Sequence, residues 1–188
     1  MAIQQAQTQR LTVEDLYAMD DLPERFEVIR GEIVEMPPTG WDHTTIGMRI
    51  GIKIGIWLEQ NPIGTVGGAD GGFVLSRDPL VVRIPDVSFV STALAPAVSA
   101  AERMPEGAPE LAIEVISPSD RASQINAKVM TYLEYGVKLV WIIDPSSKTV
   151  AVHASVRPGV AQILHVGEAL DGENVLSGFT LPLADIFQ

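Results

Sequence analysis

Apolar residues along this chain fall in short runs broken by Gly, Pro and Asp, and the spacing within each run predicts its element. Thr12 is placed to cap a short helix over 13–19, with Glu14 and Asp15 in the first turn, where the helix dipole favours anions. Phe26 to Ile29 and Glu32 to Met36 flank Arg30-Gly31, a two-residue loop whose glycine can take positive φ, which predicts a β-hairpin.

Residues 42–60 carry two competing periods. Ile46, Met48, Ile50, Ile52, Ile54 and Ile56 alternate as in a strand, yet Ile46, Ile50, Ile54 and Trp57 also recur at helical spacing. Gly47, Gly51 and Gly55 form a second stripe that allows close packing, and the segment is long for a strand. The pattern predicts a helix capped by Asp42, in which each interior glycine costs about 1 kcal/mol relative to alanine.

Thr65-Val66, Phe73 to Ser76 and the run Leu80 to Val90 read as strands joined by turns at 67–72 and 77–79. Residues 92–109, rich in Ala and Pro, read as a surface connection with room for one helical turn. Glu110 to Ser117 is a compact apolar strand, and Ser117-Pro118-Ser119-Asp120 offers cap and N1-proline signals for a helix to about Tyr135, stopped by Gly136. Leu139 to Ile143 has the two-sided apolarity of a central strand, and a turn leads into Thr149 to Ala154. Val160 to Val166, the turn at Asp171-Gly172 and the closing segment 179–187 predict added strands at one sheet edge. The succession is that of an α/β (α+β) fold without internal repeats.

Composition narrows this picture. At 188 residues and 46% hydrophobic content, one domain over 1–188 is expected. The absence of cysteine excludes a disulfide scaffold and thiolate metal ligands. A polar N-terminal segment and the lack of any stretch near 20 apolar residues point to a cytoplasmic protein, neither exported nor membrane-embedded. The net charge of -11 and scattered basic residues count against tight nonspecific DNA binding.

Two carboxylates stand out against that background. In the strand 110–117, Leu111, Ile113 and Val115 point one way and Ala112, Glu114 and Ile116 the other, so Glu114 is flanked by apolar residues. A carboxylate buried there needs a cation, a metal or a proton. Asp86 follows Pro85 in another apolar run, where proline marks an edge, start or bulge that re-aims a side chain. Together the two make a hard oxygen site suited to Mg²⁺. Lys128 borders the core-facing stripe Ile125, Val129, Tyr132 and Leu133 of the following helix, within reach of the strand ends. Gly67 to Gly72 lacks the ending of a phosphate-binding P-loop, which leaves Asp70 as a turn residue. His153 and His165 lack metal-ligand spacing or catalytic companions and are assigned to structure.

Three motifs give these residues a context: Pro85-Asp86-Val87, Glu114-Val115-Ile116-Ser117-Pro118-Ser119-Asp120, and Lys128 with Tyr132 followed by Tyr135-Gly136-Val137. They resemble the Uma2-type (DUF820) branch of the PD-(D/E)XK nuclease superfamily. The likeness extends from Phe26-Glu27 and Gly31-Glu32 through His43 to Trp141-Ile142-Ile143-Asp144-Pro145 and Gly178-Phe179. The usual superfamily lysine, two residues after the glutamate, is here Ile116, which transfers that role to Lys128.

The resemblance implies a restriction-endonuclease-like mixed β-sheet flanked by helices, with extra β-hairpins. It also implies hydrolysis of nucleic-acid phosphodiesters, DNA ahead of RNA, at a Mg²⁺ site that also admits Mn²⁺. The expected site residues are Asp86, Glu114, Lys128 and Glu27 for catalysis, with Asp86, Glu114 and His43 around the metal. An apolar hairpin edge and hydrophobic terminus suggest a homodimer. The rival readings are a nuclease-like binding or assembly module that does not cleave, and a hydrolase of some small phosphodiester.

Overall fold

The computed structural model describes residues 11–95 and 103–188. Among the described residues, three β-sheets and four α-helices carry the architecture. In chain order the elements are α1 (Val13–Ala18), β1 (Phe26–Ile29), β2 (Glu32–Glu35), α2 (Trp41–Gln60), β3 (Gly64–Gly68), β4 (Phe73–Arg77), β5 (Leu80–Arg83) and β6 (Val87–Ser91). After these come β7 (Leu111–Val115), α3 (Ala122–Glu134), β8 (Leu139–Asp144), β9 (Thr149–Ala154), β10 (Ala161–His165), β11 (Ala169–Asp171), β12 (Thr180–Pro182) and α4 (Leu183–Ile186).

The larger sheet has six strands in the order β10-β9-β8-β7-β6-β3, with β7 and β8 parallel across the α3 crossover and the other neighbours antiparallel. Its two faces follow the alternation along β7. Leu111, Ile113 and Val115 face α2, joining Ile46, Ile50, Ile54 and Leu58 in the main core. On the reverse face, Ala112 packs with Val129 and Tyr132 of α3 and with Val140 and Ile142 of β8. A four-stranded antiparallel sheet, β2-β1-β5-β4, buries Val28, Val74, Leu80 and Val82 against Val13 and Leu16 of α1.

Local sequence accounts for most element ends. Thr12 caps α1 as expected, its hydroxyl accepting from the Asp15 amide at 3.1 Å while the Asp15 carboxylate accepts from the Thr12 amide at 3.0 Å. Residues 41–60 are helical, and Gly40, not Asp42, is the N-cap; Asp42 lies in the first turn, where its charge still suits the helix dipole. The Gly47 stripe lies over the site-bearing strands: a Cβ there would stand 3.9 Å from that of Asp86, an ordinary contact. Gly64 is more demanding, because a Cβ would come within 2.3 Å of the Val90 carbonyl.

Three expectations are corrected. The run 80–90 is divided at Ile84-Pro85-Asp86, so that β5 pairs in the smaller sheet and β6 in the larger one, and Asp86 stands in the link between sheets just before the start of β6, one of the three positions expected for it. Proline has no amide to continue a ladder, which favours the break. Second, α3 begins at Ala122 after Arg121; the Ser117-Pro118-Ser119-Asp120 signal closes a turn on itself, with the Ser117 amide donating to Asp120 at 2.8 Å. Third, β11 and β12 form a separate two-stranded sheet rather than extending an edge. The terminus is buried, with Phe179, Leu181, Leu183 and Ile186 in the main core, so it offers no apolar surface to a partner. The connection at 92–109 lies partly outside the described residues. Among the described residues, no helix is long and apolar enough to cross a membrane.

Candidate active site

Glu27, His43, Asp86, Glu114 and Lys128 line one cleft of about 320 Å³. Each arrives from a different element. Glu27 comes from β1, His43 from the first turn of α2, Asp86 from the link between sheets, Glu114 from the α3-facing side of β7, and Lys128 from the second turn of α3. All five residues singled out from sequence are therefore brought together, while His153 and His165 lie on β9 and β10, outside the cleft. Asp70 sits in a turn on the cleft rim.

Asp86 is held on one side by backbone and on the other by a ring. Its Oδ2 accepts from the Val115 amide at 2.8 Å and stands 3.2 Å from Nε2 of His43. The first contact ties Asp86 to the residue after Glu114, so that the carboxylates emerge side by side.

Glu114 is buried, and both of its oxygens are engaged. Oε2 accepts from Lys128 Nζ at 2.9 Å, and Oε1 accepts from the Tyr132 hydroxyl at 2.5 Å. Lys128 and Tyr132 are four residues apart, which places both on one face of α3. Burial pushes Glu114 up to about 7 and the neighbouring Asp86 and Glu27 carboxylates add to this, against the pull of Lys128 and Tyr132. For Lys128, the surrounding carboxylates outweigh burial and hold its pKa above the usual lysine value. Tyr132 is pushed up as well, chiefly by burial and then by Glu114.

Glu27 joins this group to the smaller sheet. Its Oε2 accepts from Arg83 Nη1 at 2.7 Å, its Oε1 accepts from the Ile84 amide at 3.3 Å, and Lys128 Nζ stands 3.4 Å from Oε1. Arg83 also donates to the Thr131 hydroxyl at 3.3 Å, while its buried Nε has no hydrogen-bond partner. Arg83 and Tyr132 were not among the site residues expected from sequence. Arg83 nonetheless carries the signal that exposed Glu114, a charge within an apolar strand, and Tyr132 stands one helical turn from Lys128.

The Uma2 family model, described as "Putative restriction endonuclease", matches residues 13–184. The chain belongs to the Uma2 family. Its fold is also similar to the crystal structure of a "putative nuclease belonging to DUF820" from Anabaena variabilis ATCC 29413. That match has a TM-score of 0.78 and 18% identity, covering 94% of this chain and 97% of the other. No curated protein matches the chain. Family and fold together support a nuclease-like role for this Uma2 chain and agree with the expected mixed sheet flanked by helices.

The donor set suits a hard dication. Among the described residues, no three His, Asp or Glu side chains form a ready-made metal shell. Two adjacent carboxylates nevertheless meet the needs of Mg²⁺, which keeps several waters and takes only one or two protein carboxylates. Asp86 and Glu27, which add to the effect of burial in raising Glu114, also place negative charge there for a cation to offset.

Proposed function

We propose that this Uma2 chain is a divalent-metal-dependent endonuclease that hydrolyses nucleic-acid phosphodiester bonds, with DNA as the first substrate to test. The observation that carries this reading is the convergence of Asp86, Glu114 and Lys128 in one cleft, with Lys128 Nζ 2.9 Å from Glu114. Asp86 and Glu114 would hold Mg²⁺ or Mn²⁺, and the ion when bound would supply an activated water and neutralise charge on the phosphate.

The surrounding side chains have separable tasks. His43 fixes the free rotation of Asp86 and is near enough to supplement the metal shell. Tyr132 holds one oxygen of Glu114 in place. Lys128 presents a permanent positive charge to a phosphate oxygen or to the attacking water. Glu27, itself anchored by Arg83, steadies Lys128 from the opposite side.

A cleavage panel of DNA and RNA substrates with Mg²⁺, Mn²⁺ or chelator tests the proposal. Asp86→Ala and Glu114→Ala should abolish cleavage, and Lys128→Ala should reduce it about a hundredfold or more. Undiminished activity in all three variants, or activity that survives chelation, would sink the reading.

A second reading, a nuclease-like module that binds without cutting, draws on one observation: both Glu114 oxygens already have protein partners. It requires that Mn²⁺ titration find no ion at Asp86 or Glu114.

A homodimer belongs to the proposal too, but on a different surface from the buried terminus. Trp41, Met48, Ile52 and Ile56 form a stripe along the outer side of α2, exposed by 80%, 63%, 51% and 55%. A helix apolar on both sides calls for a second covering surface. Sedimentation of the wild-type chain beside Met48→Glu/Ile52→Glu should show a dimer reduced to monomer; a wild-type monomer would remove this part.

A further inference from the structure

Next to the carboxylate cleft lies a second opening of about 440 Å³, between the β1–β2 hairpin and α3. Its walls are largely aliphatic, with Ile29, Val34 and Met36 on the hairpin side and Ile116, Ile125 and Ile142 opposite. The two openings are continuous, because Glu27, Glu114 and Lys128 line both. Gln124 and Thr131, with the charged Arg30, Arg83, Asp120 and Glu134, complete the second one. An aliphatic wall with polar and charged groups placed around it is the usual make-up of a small-ligand pocket.

Charge argues about what enters it. The chain carries a net charge of -11. Six of its basic side chains, Lys53, Arg77, Arg83, Lys128, Lys138 and Arg157, are already in ion pairs with carboxylates. Affinity for intact duplex comes mainly from cations laid along the phosphates, and these six are drawn from only thirteen Lys and Arg in the chain. An apolar cleft supplies affinity by another route, through the face of a base.

Building on the nuclease reading, we infer that this cleft receives the base of an unpaired nucleotide beside the bond to be cut, so that the substrate is single-stranded or locally unpaired nucleic acid. A phosphate held near Glu114 and Lys128 has its own nucleoside attached, and the adjoining volume is where that nucleoside can go. In intact duplex the base is stacked and paired, and extruding it costs a few kcal/mol; an already unpaired base avoids that cost.

The test uses the full chain and one labelled oligonucleotide sequence, in DNA and RNA forms, presented single-stranded, fully paired, and paired with one bulged nucleotide. Ala127, an exposed residue on the cleft wall, is replaced by the cleft-filling Ala127→Phe, and its melting curve checks the fold. Cleavage is read in Mg²⁺ and binding by anisotropy in Ca²⁺. Single-stranded and bulged forms should be cut at least tenfold faster than duplex, with Ala127→Phe raising KM for the single strand about tenfold. Removing the base at the cleaved position should weaken binding similarly. Equal cleavage of duplex and single strand, or an unmoved KM in Ala127→Phe, overturns the inference while leaving the nuclease reading intact. Single-strand binding that Ala127→Phe destroys, with no cleavage of any form, supports the cleft and defeats the nuclease. Neither binding nor cleavage defeats both.

Discussion

The same kinds of side chain form two networks in this molecule, one in solvent and one out of it. On the surface, Arg77 bridges Glu14 at 2.8 Å and Glu106 at 2.6 Å, and these side chains are 52%, 65% and 54% exposed. In the cleft, Arg83 meets Glu27 at 2.7 Å with exposures of only 4% and 3%, and Lys128 links Glu27 to Glu114. Distances barely differ, but consequences do. Hydrogen bonding to Arg77 holds Glu14 and Glu106 below the usual carboxylate range, whereas burial drives Glu114 above it. Geometry alone therefore says little about what an ion pair does; the loss of water decides. A buried network costs stability to assemble, and that cost is expected where charged groups must be ready for a substrate or ion.

Breaking the buried network should give the largest effect. Arg83→Met takes from buried Glu27 its closer cation and leaves it only the 3.4 Å contact with Lys128, and the chain should lose roughly 3 kcal/mol in denaturant unfolding. A smaller effect comes from Glu114→Gln, and it depends on pH. The folded pKa, about 7, lies above the ordinary value of 4.5, so the folded state favours the proton. Without metal, the stability linked to Glu114 is complete below about pH 4.5 and is lost as pH rises through about 7. Melting of the metal-free Glu114→Gln variant should therefore show a shallower decline than wild type over that window. Identical slopes would mean that Glu114 is not held protonated by its surroundings. The smallest effect belongs to the surface: Arg77→Met should leave the unfolding midpoint nearly where it was, because solvent replaces the lost partner. A loss comparable to that of Arg83→Met would erase the distinction between the two networks.

How much of this was legible in the sequence varies by residue. Glu114 could be read from chemistry alone, since a carboxylate in an apolar strand demands a partner. Asp86 gained its meaning from Glu114, and Lys128, Glu27 and His43 mainly from family resemblance. Arg83 showed the same local signal as Glu114, but its partner is 56 residues away, and only the pairing of β1 with β5 at Val28 and Val82 brings them together. Tyr132 has the spacing of a core residue and is one, yet its hydroxyl reaches Glu114. For the fold, helical spacing identified α2 correctly despite its strand-like alternation, because Ile46, Ile50 and Ile54 share the buried side. The start of α3 was misread because Ser117 and Asp120 satisfy each other in a turn instead of capping a helix.

The claim on which the account rests is that Asp86 and Glu114 together hold a divalent ion. Calorimetric titration of Mn²⁺ into the metal-free chain at pH 8, beside Asp86→Asn and Glu114→Gln, tests it most directly. The account predicts one ion bound per chain in wild type and loss of that binding in either variant with the fold retained. No binding by wild type, or equal binding by all three proteins, would contradict it.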